Sequence, residues 1–290
     1  MTPRALVVGD VMSDLLVRLD EPFARGSDAA ARIVERPGGS AASFAVWLAR
    51  AGVAVDFVGR AGAGDVDRLT DAFRAGGVTA WLAADPDLPT GRLVAIVEPS
   101  GERSFLTDRG ANDALAAADI PEAALARADW MHLTGYSFQH PGPRAVVREL
   151  MRRAKAPVSV DPGSAAPLRA MGARGFLDWT AGAAAIFPNA DEAAALTGVH
   201  EPELQRELLA VHYPLVVIKR GAAGAEAAAG ERRWSAAASA TKAIDTTGAG
   251  DAFAAAFVAA RLAGEDIEDC LGKAVVAGAA ATTFLGGRPA

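Results

Sequence analysis

Short apolar runs alternate with stretches of helical periodicity along the chain. The apolar runs predict buried strands at 5–8, 56–59, 130–133, 158–161, 184–187 and 215–219. Apolar residues spaced three and four apart predict helices at 40–50, 66–75, 144–154, 191–196, 202–212, 251–263 and 267–284. Ser40 is the expected N-cap of the first helix. Strands that alternate with helices indicate βαβ units, so we expect an α/β fold with a mostly parallel central sheet sandwiched by helices.

Two regions depart from this alternation of strands and helices. Each contains a pair of segments in which apolar and polar residues alternate: 15–19 with 31–36, and 92–98 with 103–107. This pattern is typical of strands with one exposed face, and a turn-forming Pro-Ser-Gly at 99–101 separates the second pair. We therefore expect a small antiparallel β flap, or lid, contributed by about residues 13–37 and 88–109. Because no segment resembles a linker, residues 1–290 are expected to form one domain.

The composition excludes several classes of protein. With 290 residues, of which 51% are hydrophobic, the chain can bury a large core. Its net charge of −6 argues against a nucleic-acid or anionic-membrane partner, since both require a basic surface. Cys270 is the single cysteine, so no intrachain disulfide is expected. No signal-peptide pattern and no membrane-length apolar stretch are present, so we expect a cytoplasmic protein.

Several common catalytic signatures are missing from the sequence. It contains no Walker phosphate loop, no G-x-G-x-x-G, no H-E-x-x-H and no G-x-S-x-G. The missing glycine fingerprint weighs against an NAD(P)-dependent oxidoreductase, which the α/β pattern would otherwise allow.

The strongest chemical signal is DTTGAGDAF at 245–253, which opens a long apolar helix. Small residues at Gly248, Ala249 and Gly250 let the backbone approach a ligand and turn its N–H groups toward it. The helix N-terminus adds its positive dipole end, so the segment suits a phosphate in transfer. Asp251 would repel such an anion, but it makes sense as the base that deprotonates an attacking hydroxyl. In the alternative interpretation, Asp251 caps the helix and the glycines only make a turn.

Four further segments precede this one in the chain. They are VGDVMSD at 8–14, PGGSAASFA at 37–45, PNADE at 188–192 and VIKRGAAG at 217–224. Together with DTTGAGDAF, and in this order over nearly the whole chain, they resemble the ribokinase-like (PfkB) carbohydrate kinase family. The resemblance implies a ribokinase-like fold. It also implies an ATP- and Mg²⁺-dependent kinase that phosphorylates a hydroxymethyl group of a neutral sugar, similar to ribose or fructose.

The resemblance assigns catalytic and metal roles within these motifs. Asp251 would be the catalytic base, and the N–H groups of residues 248–250 would form the anion hole. Asn189 and Glu192 would hold Mg²⁺, largely through water, which suits a cation that keeps much of its hydration shell. The alternative for Asn189 and Glu192 is a capping pair at the start of a helix.

The resemblance also implies a nucleotide site. Its residues would be Asn189, Lys219, Gly221, Gly224 and Val275. The two glycines would leave room for the ribose and phosphates, whereas the alternative is a strand that ends in a flexible turn. Asp245 would help hold a monovalent cation, such as K⁺, near the anion hole. The sequence ends at Ala290, where further ligands of that cation would be expected, and this weighs against potassium dependence.

On the acceptor side, the resemblance points to Asp14, Gly38, Gly39 and Ser43. The Asp14 carboxylate would accept hydrogen bonds from neighbouring sugar hydroxyls, and the glycines would let the backbone close on the sugar. The alternatives are a solvated strand end and a plain turn before a helix. Ser43 stands where the family often places an asparagine, which predicts an unusual acceptor. Asp108 in the flap would repel a carboxylate, which disfavours 2-keto-3-deoxygluconate.

Two other functions stay open at this point. A nucleoside kinase, similar to adenosine kinase, would share the fold and have a more hydrophobic acceptor pocket. The aromatic residues that could wall such a pocket, or could lie in the core, are Phe44, Phe105, Tyr136 and Phe138. A non-catalytic sugar or nucleotide sensor would not need to retain Asp251. The exposed flap edges also predict a homodimer formed through the lid.

Overall fold

The computed structural model describes residues 2–23, 26–100, 103–284 and 286–288. In these ranges the strands are β1 (Arg4–Val8), β2 (Met12–Leu19), β3 (Ala31–Gly38), β4 (Ala54–Gly62), β5 (Val78–Asp85), β6 (Gly91–Val97), β7 (Arg103–Asp108), β8 (Trp130–Thr134), β9 (Val158–Asp161), β10 (Ala185–Ile186), β11 (Leu215–Lys219), β12 (Ala225–Ala229) and β13 (Arg232–Ala236). The helices are α1 (Ser40–Arg50), α2 (Val66–Ala75), α3 (Glu122–Ala126), α4 (Pro141–Arg153), α5 (Ala165–Met171), α6 (Ala173–Trp179), α7 (Ala190–Thr197), α8 (Pro202–Ala210), α9 (Ala249–Leu262) and α10 (Ile267–Ala281).

The larger sheet has the strand order β13-β12-β11-β10-β9-β8-β1-β4-β5 within the described chain. All pairings from β11 to β5 are parallel, and β12 and β13 extend the sheet with antiparallel pairs. Helices α1, α2, α9 and α10 cover one face, and α3 to α8 cover the other. In β1, Ala5 and Val7 pack into the first of these cores, and Leu6 and Val8 pack into the second. The predicted parallel sheet sandwiched by helices is confirmed.

A smaller sheet, the lid, has the strand order β3-β2-β6-β7. Its outer pairs, β2–β3 and β6–β7, are antiparallel as predicted, whereas the central pair β2–β6 is parallel. The chain enters the lid directly from β1 and leaves it from β3 into α1. For this reason we propose that the lid and the large sheet belong to one domain.

The start of α1 differs from the predicted capping. Gly39, with φ +95°, occupies the N-cap position that the sequence pattern assigns to Ser40. The Asp10 carboxylate instead accepts the N–H of Ser40 at 2.8 Å and that of Ala41 at 3.4 Å, from outside the helix. Because Asp10 satisfies these donors, the Ser40 hydroxyl is available for a contact with another helix.

Other element ends shift by a few residues from the prediction. The helix predicted at 251–263 begins at Ala249, and the one predicted at 267–284 ends at Ala281. The strand predicted at 184–187 shortens to Ala185–Ile186. The apolar pattern missed β5, β12 and β13. Within the described ranges, no helix combines the length and the apolar character that crossing a membrane requires.

Candidate active site

Polar side chains converge on a cleft at one edge of the large sheet. Asp161 and Lys219 are the last residues of β9 and β11, and Asp10 and Asn189 follow β1 and β10. Because the carboxyl ends of parallel strands meet at one edge, these residues line a single cavity of about 1400 Å³. The lid contributes to its wall through Met12, Asp14, Leu93, Phe105 and Thr107.

The backbone at the start of α9 presents hydrogen-bond donors to this cleft. Gly248, with φ +73°, is the N-cap, and a Cβ there would lie 2.3 Å from the carbonyl oxygen of Gly287. The N–H groups of Gly248 and Gly250 have no hydrogen-bond partner among the described residues, whereas Ala249 N–H donates to the Thr246 carbonyl at 3.3 Å. Free donors at a helix N-terminus bind anions. Packing therefore requires the glycine at 248, and the same segment offers the donors of an anion hole.

Asp251 lies in the first turn of α9, with its side chain bonded to α1. Ser40 Oγ donates to Asp251 Oδ1 at 2.7 Å. Burial, reinforced by Asp161, holds the pKa of Asp251 well above its usual range, and Ser40 and Lys219 oppose this shift. The alternative in which Asp251 caps its own helix is not realised, since Gly248 occupies the N-cap position.

A buried ammonium group lies among three carboxyl groups. Lys219 Nζ donates to Asp161 Oδ2 at 2.6 Å, and a Cβ on Gly250 would lie 3.0 Å from the same nitrogen. Burial alone would lower the pKa of this lysine, but the carboxyl groups of Asp161, Glu192 and Asp251 raise it. Lys219 therefore stays charged next to the predicted anion hole.

Asn189 and Glu192 form a reciprocal cap at the start of α7. Asn189 N–H donates to Glu192 Oε2 at 2.8 Å, and Asn189 Nδ2 donates to Oε1 at 2.6 Å. Glu192 N–H donates to Asn189 Oδ1 at 2.9 Å. The capping alternative is thus realised, and it holds Glu192 at the wall of the cleft. Burial raises the pKa of Glu192 to about 7, against the opposing charge of Lys219.

These donors fit a hydrated Mg²⁺ better than a metal caged by protein ligands. In the described part of the chain, no three His, Cys, Asp or Glu side chains are grouped so that they could hold a metal. Each Glu192 carboxylate oxygen accepts one hydrogen bond from Asn189 and keeps a further lone pair. Mg²⁺ in proteins commonly keeps several waters beside one or two carboxylates. The residues present are therefore compatible with Mg²⁺ held through water.

The predicted nucleotide residues lie where β11 leaves the sheet. Gly221, with φ +58°, and Val275 of α10 line the cleft together with residues of the segment 238–243. Gly224, with φ +90°, must be a glycine for a structural reason, because a Cβ there would lie 2.0 Å from the Ala236 carbonyl oxygen in β13. The neighbouring strand requires this glycine independently of any nucleotide.

Asp14 lies on the wall of the cleft and is 7% exposed. Its Oδ1 is buried and has no hydrogen-bond partner in the described structure. Burial raises the pKa of Asp14 to about 7, with Arg288 opposing the shift and Asp10 adding to it. A buried carboxylate oxygen with no partner is suited to accept a hydrogen bond from a bound hydroxyl.

Gly38 and Gly39 make room for the carboxylates around them. A Cβ on Gly38 would lie 2.0 Å from the Asp14 carboxylate. A Cβ on Gly39 would lie 2.5 Å from the Asp10 carbonyl oxygen. Ser43, further along α1, is buried and also lines the cleft. The structure thus brings together all four predicted acceptor residues.

Asp245 anchors the segment that leads into α9. Its Oδ1 accepts the N–H of Thr247 at 2.9 Å and the hydroxyl of Thr247 at 2.8 Å. Its Oδ2 accepts the N–H of Gly286 at 2.9 Å. Both oxygens therefore hold the backbone next to the anion hole, and a role for Asp245 in binding a monovalent cation stays a prediction.

The aromatic candidates divide between the core and the cleft. Phe44 and Phe138 are fully buried, and Phe44 stacks on His132 with 3.6 Å between ring centroids. Phe105 and Tyr136 line the cleft. An acceptor would therefore meet aromatic surface from the lid and from the segment after β8.

Sequence reasoning gave no role to Asp10, Asp161 and Arg288. Asp10 and Asp161 had a usable signal, because each is a polar residue at the carboxyl end of a predicted buried strand. Arg288 had none, since its contacts involve residues distant in the sequence, such as Gly38.

Comparisons with known proteins show which proteins this chain resembles in sequence and in fold. The sequence profile of the pfkB family carbohydrate kinases matches residues 2–289. The chain is 32% identical over 290 residues to an ATP-dependent ribose-1-phosphate kinase from Halopiger xanaduensis, covering 99% of this chain and 94% of the relative. It is 30% identical to a ribokinase from Bacillus subtilis, covering 91% of this chain and 88% of the relative. In fold it resembles an adenosine kinase from Sinorhizobium meliloti, with a TM-score of 0.92 at 24% identity, covering 100% of this chain and 96% of the other.

Proposed function

The chain belongs to the pfkB family of carbohydrate kinases, and on this premise we propose that it transfers the γ-phosphate of ATP to a hydroxymethyl group of a neutral sugar. The observation that carries the proposal is a carboxylate beside an anion site. Asp251 is held by Ser40 at 2.7 Å and lies in the helix turn that follows the free N–H groups of Gly248 and Gly250. Phosphoryl transfer to a hydroxyl needs a base and an anion site in this arrangement.

In this proposal, Asp251 takes the proton of the acceptor hydroxyl as its oxygen attacks the γ-phosphorus. The new O–P bond forms while the bond from the γ-phosphorus to the bridging oxygen breaks, and ADP leaves. The raised pKa of Asp251 brings its basicity toward that of a base that works near neutral pH. The free N–H groups of Gly248 and Gly250 and the ammonium of Lys219 offset the charge of the transferred group, whereas the predicted donor Ala249 N–H is bonded to the Thr246 carbonyl. Closure of the lid excludes water, which would otherwise compete with the acceptor.

We place the nucleotide along Lys219, Gly221 and Gly224, with its base beside Val275. Asn189 and Glu192 would hold Mg²⁺ through water, and the bound cation would offset phosphate charge. The relative from Halopiger xanaduensis is named as ATP-dependent, which supports ATP as the donor. A dependence on K⁺ through Asp245 and a cytoplasmic location stay predictions.

We assign the acceptor to the subsite around Asp14, where Gly39 and Ser43 line the cleft and Gly38 packs against the Asp14 carboxylate. The partner-free Oδ1 of Asp14 would accept a hydrogen bond from an acceptor hydroxyl. The named relatives are a ribose-1-phosphate kinase and a ribokinase, which supports a ribose-like acceptor.

A nucleoside is the second candidate acceptor. Leu93 and Phe105 of the lid and Tyr136 give the cleft an apolar wall that could pack against a base. The contact between Ser40 and Asp251 argues against a non-catalytic sensor, since binding alone does not need an oriented carboxylate there.

We propose that a second copy of this chain covers the outer face of the lid. The strand register places Leu15, Val94 and Leu106 side by side on the face opposite Asp14. Leu106 is 61% exposed and Ile33 is 64% exposed. The outer edge of β3 is unpaired in the described structure, and such edges are commonly covered. Sedimentation should show a dimer for the wild type and a monomer for Leu106→Asp, and a monomeric wild type would contradict the proposal.

Acceptor-dependent release of ADP tests the proposed function. The protein is supplied with ATP, Mg²⁺ and one acceptor at a time: ribose, fructose, ribose 1-phosphate or adenosine. One acceptor should drive ADP release, with one phosphomonoester formed per ADP in ³¹P NMR spectra. Tight ATP binding without acceptor-dependent release for any of them would favour the sensor instead. Repeating the assay in Na⁺ and in K⁺ tests the cation prediction.

A further inference from the structure

Residues 286–288, which we call the C-terminal strap, cross between the two halves of the site. The N–H of Gly286, the first residue of the strap, donates to Asp245 Oδ2 at 2.9 Å. The carbonyl of Gly287 accepts from Trp47 Nε1 of α1 at 3.1 Å, and a Cβ on Gly248 would lie 2.3 Å from the same oxygen. The strap therefore contacts both the anion-hole segment and the helix that leads out of the acceptor subsite.

Arg288 extends this connection to the acceptor side. Its Nη2 donates to the carbonyl oxygen of Gly38, and its guanidinium lies 5.1 Å from the centre of the Phe73 ring. Its Nε is buried without a hydrogen-bond partner in the described chain. Burial lowers the pKa of Arg288 to about 10, and Asp14 and Asp10 oppose the shift, so the side chain stays cationic at neutral pH.

The contact between Arg288 and Gly38 affects the acceptor subsite, because the backbone at Gly38, where β3 ends, is packed directly against Asp14. A Cβ on Gly38 would lie 2.0 Å from the Asp14 carboxylate, so the backbone there and that carboxylate are already in contact. Arg288 is not part of the cleft wall. Its positive charge nevertheless acts on Asp14, which does line the cleft.

We propose that Arg288 is a positioning residue for acceptor binding. It acts through the Gly38 carbonyl and Asp14. The strap holds the acceptor subsite in a fixed position relative to the anion hole. The inference rests on the proposed kinase function for its kinetic readout. It goes beyond that function by giving the C-terminal segment a role in acceptor affinity.

The first test is Arg288→Met, which keeps an unbranched apolar stem and removes both the charge and the donor. The acceptor KM should rise about 10- to 100-fold, as for the loss of one charge-assisted hydrogen bond, while the KM for ATP stays within about twofold. Arg288→Lys, which keeps the charge, should recover part of the acceptor affinity. A fall in kcat with both KM values unchanged would indicate a merely structural role and would overturn the proposal.

Arg144→Met is the matched control. Arg144 also lies over a ring, 3.9 Å from the centre of Trp179, and donates to the Phe138 carbonyl at 3.5 Å. It belongs to α4 and does not line the cleft. Its loss should leave the acceptor KM unchanged.

Amide hydrogen exchange gives a readout that does not depend on kinase activity. Residues 36–44 should exchange faster in Arg288→Met than in the wild type and in Arg144→Met, because this segment loses its tether. Unchanged exchange in this segment, together with an unchanged acceptor KM, would overturn the proposal. If the wild type phosphorylates none of the acceptors, the proposed function fails and the exchange result alone decides the role of Arg288. If Arg288→Met does not fold, Arg288→Gln, which also removes the charge, takes its place in both measurements.

Discussion

Ser40 and Asp251 are 211 positions apart in the sequence and are joined by a hydrogen bond of 2.7 Å between Ser40 Oγ and Asp251 Oδ1. Ser40 begins α1, which follows the acceptor subsite, and Asp251 lies in the first turn of α9 at the anion hole. The bond fixes the direction of the proposed base relative to both reactants. It is possible because Asp10 caps α1 and leaves the Ser40 hydroxyl free to donate.

Ser40→Ala should shift the pH dependence of the reaction. The hydrogen bond from Ser40 favours the charged form of Asp251, so its loss should raise the pKa of Asp251 further. A base with a higher pKa stays protonated to higher pH. The acid limb of kcat against pH should therefore move upward, and kcat at pH 7 should fall about fivefold, as for one hydrogen bond of about 1 kcal/mol. Ser40→Thr, which keeps a hydroxyl, is the control, and an acid limb that does not move in Ser40→Ala would contradict the assignment.

Gly38→Ala should weaken acceptor binding specifically. The new Cβ would lie 2.0 Å from the Asp14 carboxylate, which must move away from the acceptor. We expect an acceptor KM raised by about tenfold or more, as for a lost hydrogen bond to a charged group, with the KM for ATP unchanged. Gly272→Ala in α10 is the control, because a Cβ there meets nothing within 4 Å and should stabilise the helix by about 0.5–1 kcal/mol. Equal acceptor affinity in both variants would refute the packing argument.

The ligand-free protein should lose stability as pH rises from mildly acidic to mildly basic. Burial raises the pKa values of Asp14 and Glu192 to about 7, and that of Asp251 well above its usual range. Raised pKa values mean that the folded state holds these protons more tightly than the unfolded state. The stabilisation from Asp14 and Glu192 is complete below the usual carboxyl pKa, near 4, and is lost as pH rises through about 7. Tm at constant ionic strength should fall between about pH 5.5 and 8.5. Asp14→Asn should flatten that dependence, and a Tm that rises over this range would contradict the pKa directions.

Much of the fold could be predicted from local sequence. The bounds of β9, β11 and α2 match the predictions, because buried parallel strands form apolar runs and α2 has a clear apolar stripe. β12 was missed because its sequence is AEAAA, and alanine has low β propensity. Pairing with β11 holds β12 in the sheet. The parallel direction of β2 against β6 also had no sequence signal, since both strand directions share the same side-chain period.

In the site, too, the features formed by residues contiguous in the sequence could be predicted, and the long-range contacts could not. The segment 248–251 could be predicted because its glycines, helix start and carboxylate are contiguous in the sequence. The ion pair of Lys219 with Asp161 and the contact of Arg288 with Gly38 join residues 58 and 250 positions apart. Such contacts depend on the finished fold, so sequence pattern alone could not assign them.

Turnover of Asp251→Asn is the measurement that tests the proposed base most directly. Asparagine keeps the shape of the side chain and can still accept a hydrogen bond from Ser40, but it cannot take the acceptor's proton. With the best acceptor found, kcat from ADP release should fall about 10²- to 10⁴-fold, while ATP binding measured by calorimetry stays unchanged. Turnover close to that of the wild type would show that the base lies elsewhere and would contradict the proposed mechanism.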